Sequence, residues 1–372
     1  MEHLDPTKPF NDLPLLPPSA TVETHPVLKS CIEARSALAA LKQIGALIPN
    51  QSVLINTIPL REAQSSSEIE NIVTTADNLF RYSSLNDTGA DMPTRETLRY
   101  RTALYEGSEK IKRRPLSTRT AIEVCQIIKG VELDIRDTPG TALLNRATGQ
   151  VIYTPPEGQT HIWKLLANWE AFLHNHQELD PLVRMAIGHY QFEAIHPFAD
   201  GNGRTGRLLN ILFLIDAELL EIPVLYLSRH IIATKNEYYD LLQNVTSQGQ
   251  WEPWILYMLN AIENTARWTS AKIKGIQELM DHTTDFIQAT ERHIYSRELT
   301  ELIFRQPYCR ISDLVQQGIA KRVTASKYLH TLRDIGVLEK VTVGREHLFV
   351  HTKFLGVLMT DENTFPPYPV DR

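Results

Sequence analysis

The stretch His196-Pro197-Phe198-Ala199-Asp200-Gly201-Asn202-Gly203-Arg204-Thr205-Gly206-Arg207 decides how this chain is read. Upstream, Val183, Ala186, Ile187, Tyr190 and Ala194 recur at three- and four-residue spacing, the pattern of an amphipathic helix facing a core. That helix should end near Ile195, because the residue before a proline is pushed out of the helical region. Downstream, Leu208 to Ile215 is almost wholly apolar, which predicts a buried helix beginning near Arg204. The twelve residues are therefore expected to form a tight loop between two helices.

Within the loop, the glycines on either side of Asn202 allow successive backbone N–H groups to converge, a conformation most side chains obstruct. Such a nest at a helix N-terminus binds anions through free amides and the positive dipole end. Arg204 and Arg207, three apart, should project from one side of the new helix as a phosphate clamp. Asp200 at the lip is a hard oxygen ligand suited to Mg²⁺ shared with phosphates. His196 can take a proton near neutral pH, as activation of a hydroxyl requires. Phe198 is expected to pack inward and anchor the loop.

At every fixed position these twelve residues resemble the signature of the Fic family. The resemblance implies a mainly α fold, with an all-helical core and a β-hairpin flap. It also implies an enzyme, a protein adenylyltransferase that moves AMP from ATP to a Ser, Thr or Tyr hydroxyl of a target protein or of itself and releases pyrophosphate. Carried over by position, His196 is the general base and Asp200 holds Mg²⁺. Asn202 and the Gly201 and Gly203 amides bind the α-phosphate region, Arg204 engages the β-phosphate side, and Arg207 orients the γ-phosphate. ATP and Mg²⁺ are the implied substrate and cofactor. Relatives that transfer phosphate, UMP or phosphocholine leave a different donor open.

Ser66-Ser67-Glu68-Ile69-Glu70-Asn71 resembles the inhibitory-helix motif of the same family. Ser66 and Glu70 are four apart and share a helix face. The resemblance names Arg207 as the partner of Glu70, which would deny that arginine to the γ-phosphate. A carboxylate so placed can also direct water at an AMP–protein bond, making removal of AMP a second activity. The local alternative is a capping box at a helix start, through Ser65 with Glu68 or Ser67 with Glu70.

Thr141 to Asn145-Arg146 and Val151 to Thr154 are β-prone runs around a Thr148-Gly149 turn, ended by Pro155-Pro156. By resemblance this hairpin, 141–156, is the flap on which an extended target segment docks by strand addition. On a helix expected from about Thr234 to Val245, Tyr239 is the candidate wall for adenine, with core packing as its alternative.

The chain has 372 residues, enough for two or three domains, and a net charge of −6 that offers no global attraction to nucleic acid or anionic membrane. Three cysteines, Cys31, Cys125 and Cys309, have neither metal-ligand spacing nor a pairing framework, as expected in a reducing cytoplasm. No signal segment and no membrane-spanning run is evident, so a cytoplasmic location is expected. Four regions are anticipated. Residues 1–114 form an arm, proline-rich to about 27, and a helical region with the inhibitory helix. The core spans 115–268. A linker helix occupies 269–296, read as running from Ala271 to about Ser296. Residues 297–372 form a small α+β domain and tail.

In that last region, three short helices precede Val337-Leu338-Glu339-Lys340-Val341, a turn at Gly344 and His347-Leu348-Phe349-Val350, which resembles a winged helix. Its third helix has the recognition position, with Lys321, Arg322, Lys327 and Arg333 for phosphates and Thr324 and Ser326 for bases. A DNA-binding regulator is thus the competing function class, although protein interaction or self-association would serve this domain as well.

Overall fold

The computed structural model describes residues 5–48, 51–83, 89–144, 148–343 and 346–369. Helices dominate, in the order α1 (His25–Leu47), α2 (Ser52–Ile69), α3 (Ala76–Tyr82), α4 (Met92–Ile111) and α5 (Thr118–Lys129), then a hairpin of β1 (Leu143–Leu144) and β2 (Val151–Tyr153). There follow α6 (Gln159–Asn175), α7 (Pro181–Ile195), α8 (Asn202–Asp216), α9 (Ser228–Ala233), α10 (Lys235–Gln248) and α11 (Trp251–Thr290). The C-terminal part holds α12 (Arg297–Arg305), β3 (Tyr308–Cys309), α13 (Ile311–Gln316), α14 (Arg322–Asp334), β4 (Glu339–Val343), β5 (Glu346–Val350) and α15 (Thr352–Met359).

At the centre, α7 and α8 pack on each other and are buried on nearly every side. The polar face expected opposite the Val183–Ala194 stripe of α7 is nearly absent, since a helix surrounded by protein needs none. The turn between them is enforced locally. His196 takes a left-handed conformation (φ 50°) and ends α7, and Gly201 (φ 88°) starts α8. The second helix therefore begins at Asn202 instead of near Arg204, because Gly201 turns the chain early enough for the Asn202 and Gly203 amides to enter the first turn. Phe198 is 1% exposed, wedged inward as expected.

Three other expectations change. The long helix starts at Trp251, twenty residues before Ala271, and stops at Thr290. Its buried positions recur along the whole length from Trp254 to Ile287, and the helix runs on through Lys272 and Gly275, so no break separates a linker from the core helix. The helix carrying Tyr239 runs Lys235–Gln248. The expected hairpin is present but short, pairing Leu143 with Tyr153 and Leu144 with Val151; residues 145–147 of the expected flap lie outside the described residues.

Residues 5–24 form no helix or strand, and wrap the core as an arm. The Asn168 side chain accepts from Leu16 N (2.8 Å) and donates to Leu16 O (2.9 Å), while Leu13 and Leu16 are buried. In the C-terminal part, α12, α13 and α14 pack with a sheet of order β3-β5-β4, the arrangement of a winged helix. Strand β3 and helix α15 were not anticipated, and the expected turn at Gly344 lies outside the described residues.

Candidate functional site

The site assembles where the α7–α8 turn meets the C-terminal end of α2. Asn202 does not present its side chain to the nest. Its Oδ1 accepts from Phe198 N and its Nδ2 donates to Phe198 O, both at 2.8 Å. The carboxamide therefore closes the loop, leaving backbone amides as the groups offered to an anion. A Cβ on Gly201 would sit 3.3 Å from Cys125 Sγ in a left-handed conformation, so that position strongly favours glycine.

Glu70 reaches this nest. It caps α2 one residue beyond the last helical position, and Asn71 turns left-handed behind it (φ 63°). A helix end, not a start, rules out the capping-box alternative for Ser65–Glu70. Arg207 Nη2 donates to Glu70 Oε1 (2.9 Å) and to Ser66 O (2.9 Å), and Arg207 Nε donates to Ser66 Oγ (3.0 Å). A Cβ on Gly203 would lie 2.4 Å from Glu70 Oε1 and 3.0 Å from an Arg207 nitrogen, so the carboxylate rests directly above the nest. Burial acts to raise the Glu70 carboxyl, but Arg207, Arg204 and His196 override it and hold the pKa below the usual value. The Glu70–Arg207 pair is thus ionised and lies over the Gly203 backbone.

Arg204 and Arg207 are both nearly inaccessible, at 2% and 1% exposure. They point to different carboxylates. Arg204 Nη1 donates to Glu96 Oε1 on α4 (2.6 Å), and Lys129 on α5 bridges Glu96 (3.1 Å) and Asp200 (2.5 Å). Asp200 keeps a two-thirds exposed side chain at the lip. Burial works against its charged form, yet Lys129 and Arg204 hold its carboxyl below the ordinary value. Among the described residues no cluster of three or more His, Cys, Asp and Glu forms a metal cage. A cation here would rest on Asp200 and on ligand phosphates.

His196 is half-buried, and burial, followed by the Arg136 charge, pulls its pKa down to about 4, against the Glu193 carbonyl and the charges of Glu70 and Asp200. The imidazole is therefore neutral at physiological pH and ready to accept a proton. Arg136 holds the loop from behind by donating to the carbonyls of His196 (2.8 Å), Ile195 (3.3 Å) and Pro156, so one side chain ties the histidine loop to the exit of the hairpin. Tyr153 OH adds a second tie to Ala194 O (2.8 Å). Tyr239 lies on α10 with 43% exposure, edge-on to the fully buried Tyr238.

Sequence reasoning brought together His196, Asp200, Gly201, Asn202, Gly203, Arg204, Arg207, Ser66 and Glu70, and the fold places them in one region. It did not find Glu96, Lys129, Arg136 or Glu193. These lie outside the signature, and no local spacing joins them to it. Glu193 at −3 from His196 had a weak signal, an acidic residue among the apolar positions at the end of α7. Its Oε1 is buried with no hydrogen-bond partner, and burial raises its carboxyl to about 7, with Arg207 opposing and Glu70 reinforcing the shift.

Family models match the chain in three consecutive segments. Residues 28–109 match the Fic/DOC family N-terminal model, 115–214 the Fic/DOC family model, and 279–354 the C-terminal domain of protein adenylyltransferase SoFic-like. Curated relatives include protein adenylyltransferase Fic of Culex quinquefasciatus, 34% identical over 112 residues, which are 30% of this chain and 21% of that protein. Protein adenylyltransferase fic-1 of Caenorhabditis elegans is 39% identical over 80 residues, 22% of this chain and 14% of that one. The matches thus span about a fifth of the length of such relatives. The crystal structure of a Fic family protein from Desulfovibrio desulfuricans G20 shares the fold, with a TM-score of 0.58 and 22% identity over 90% of this chain and 98% of that one. With its signature loop folded as a nest between α7 and α8 and its three segments matched in order, this chain belongs to the Fic/DOC family.

Proposed function

We propose that this chain transfers AMP from ATP to a hydroxyl side chain of a protein, and that Glu70 holds the activity down. The observation that carries the reading is the Glu70 carboxylate, seated above Gly203 and paired with Arg207 at the mouth of the nest. An acid placed on an anion site occupies the position of the anion, so the site is built for phosphate and guarded against it.

In this reading the Gly201, Asn202 and Gly203 amides hold the α-phosphate region, Arg204 the β-phosphate, and Arg207, once free of Glu70, the γ-phosphate. Neutral His196 takes the proton of the attacking hydroxyl. That oxygen bonds to the α-phosphorus, the bond from the α-phosphorus to the oxygen bridging to the β-phosphate breaks, and pyrophosphate departs. Mg²⁺, held by Asp200 with the phosphates, would neutralise charge, and the single exposed carboxylate beside a displaceable lysine fits a hard cation. The β1–β2 hairpin presents the target by strand addition, and Tyr239 lines the base. With Glu70 in place, water in line with an AMP–protein bond makes removal of AMP a second activity. Among the described residues no helix is long and apolar enough to cross a membrane.

Automodification provides an assay that needs no target. Purified wild type, Glu70→Gly and Glu70→Gly/His196→Ala are incubated with Mg²⁺ and ATP labelled at the α- or the γ-phosphate, and read by intact mass. An AMP-sized gain carrying α-label, strongest in Glu70→Gly and absent without His196, supports the reading. Label from neither position in any variant, with UTP or GTP labelling instead, would move the activity to another donor.

A second reading is favoured by one surface. On α14 and just before it, Lys321, Arg322, Thr324 and Lys327 are exposed beside Val323, which is 84% exposed. Contact of this face with DNA predicts a duplex complex that weakens steeply with salt. Triple replacement of the three cations by Ala should abolish it, and a salt-insensitive or absent complex would leave the domain to protein partners, a second copy of the chain included.

A further inference from the structure

From Ala63 to Glu68, α2 reads Ala-Gln-Ser-Ser-Ser-Glu and carries no large apolar side chain, yet Ser65, Ser66 and Ser67 are all buried. Apolar packing is non-directional and has little surface over these six residues, with Ile69 the next large buried side chain. Directional bonds therefore share in setting the rotation and axial position of this end of the helix. Ser65 Oγ meets Tyr226 OH at 2.6 Å, Lys235 Nζ donates to Ile69 O at 2.6 Å, and Ser66 takes two bonds from Arg207.

One turn before Ser66 lies Glu62, 1% exposed. Its Oε1 accepts from Tyr100 OH on α4 (3.0 Å) and from Ser228 Oγ on α9 (2.5 Å), and its Oε2 accepts from Ser228 N (2.8 Å). Glu62, Ser66 and Glu70 follow at four-residue steps, so they line one face of the helix end. A buried carboxyl joining two neighbouring elements at the top of that stripe is an axial and rotational stop for the residues below it.

We propose that Glu62 is a positioning residue for the Glu70–Arg207 clamp. By holding α2 to α4 and α9, it sets the height at which Ser66 and Glu70 meet Arg207. Without it the end of α2 rotates or frays, Arg207 loses its partners, and the nest opens. The inference rests on the proposed function where activity is the readout, and stands apart from it where motion of α2 is measured.

Two measurements test it, on Glu62→Gln and on Ser228→Ala, which leaves α2 untouched. The first is hydrogen exchange at the amides of residues 66–72, expected to quicken roughly tenfold in Glu62→Gln, equivalent to ~1.4 kcal/mol of local stability. The second is automodification, expected to rise in both single variants toward that of Glu70→Gly, with no further gain in Glu62→Gln/Glu70→Gly. A purely structural glutamate would lower activity in both backgrounds, and that result overturns the proposal. So does unchanged exchange with unchanged labelling in a folded Glu62→Gln protein. If exchange quickens while Glu70→Gly itself takes no label, the positioning role stands and the transferase reading falls.

Discussion

A histidine serves as a base only if it reaches the substrate unprotonated, and His196 is kept so by its surroundings. Burial first, and then Arg136, lower its pKa to about 4, while Glu70 and Asp200 push it up. The base form is therefore present above that value, and removing Glu70 extends it further down. The labelling rate of Glu70→Gly should accordingly be flat between about pH 6 and pH 8, where an ordinary histidine would lose half its activity near its own pKa. A fall centred near 6.5, measured in a pH–rate profile, would contradict this environment. Glu193 titrates in the opposite sense. Its folded pKa, about 7, lies above the ordinary value of 4.5, so its contribution to stability is complete below 4.5 and is lost as pH rises through 7. Glu193→Gln has no such loss. Relative to wild type, it should gain roughly 2 kcal/mol between about pH 5 and pH 8, read from urea midpoints. Equal shifts at both pH values would mean that the carboxyl is ionised throughout. These residues also mark the limit of reading a site from sequence. The signature loop was legible because its chemistry is contiguous. Glu96 and Lys129 were not, since Arg204 and Asp200 meet them across 108 and 71 positions, and only the packing of α4 and α5 makes them neighbours.

Elements with a clear local boundary were legible, even α7 and α8, which are buried on nearly every side, and those without one were not. The periodic helices of the C-terminal part emerged from spacing alone, whereas the start of α11 was missed because its buried residues recur along the whole length from Trp254 to Ile287. The hairpin was legible from its turn and its prolines, but what braces it was not. The arm does so. Phe10 N donates to Thr154 O (3.0 Å), Thr154 Oγ1 donates to Pro6 O (2.7 Å), and Asn11 Oδ1 accepts from Glu157 N (2.9 Å). Phe10 also sits edge-on to Tyr153, whose hydroxyl reaches Ala194 two residues before the histidine. A strand of three residues cannot hold its own position, so arm, hairpin exit and histidine loop form one braced unit. Asn11→Ala removes one of these bonds and should cost about 1 kcal/mol locally, raising hydrogen exchange at residues 151–158 roughly fivefold. ATP affinity of Glu70→Gly should be unaffected by the same change. Unaltered exchange would show that the Thr154 bonds to Phe10 and Pro6, with Arg136 and Tyr153, brace the hairpin without Asn11.

Across the whole molecule, the three family segments do not have three separate cores. One hydrophobic cluster runs through the arm, α1 and the α7–α8 centre, and a second joins the N-terminal helices to the C-terminal domain. In that second cluster Val53 and Leu60 of α2, Phe80 of α3 and Leu98 of α4 pack with Ile276 and Leu279 of α11 and with Phe304, Leu329 and Phe349. Helix α11 threads both clusters, and its buried Lys272 donates to the carbonyls of Val357 and Thr360, each at 2.7 Å, tying the end of α15 to the core. The helix that ends in Glu70 is thus rooted in the C-terminal core, and the winged helix should unfold together with the Glu70–Arg207 pair. Tryptophan makes this measurable, because all five lie between residues 163 and 268 and none in α12–α15. Leu329→Ala opens a cavity in the fully buried centre of α14 and should cost about 2–5 kcal/mol. If the clusters are coupled, the urea midpoint reported by tryptophan fluorescence falls with it, although no tryptophan lies near residue 329 in sequence. If the C-terminal domain folds on its own, that midpoint stays in place while far-ultraviolet circular dichroism acquires an earlier step. Coupling would also mean that a ligand stabilising the winged helix stabilises the rooted end of α2 and, through it, the clamp on Arg207.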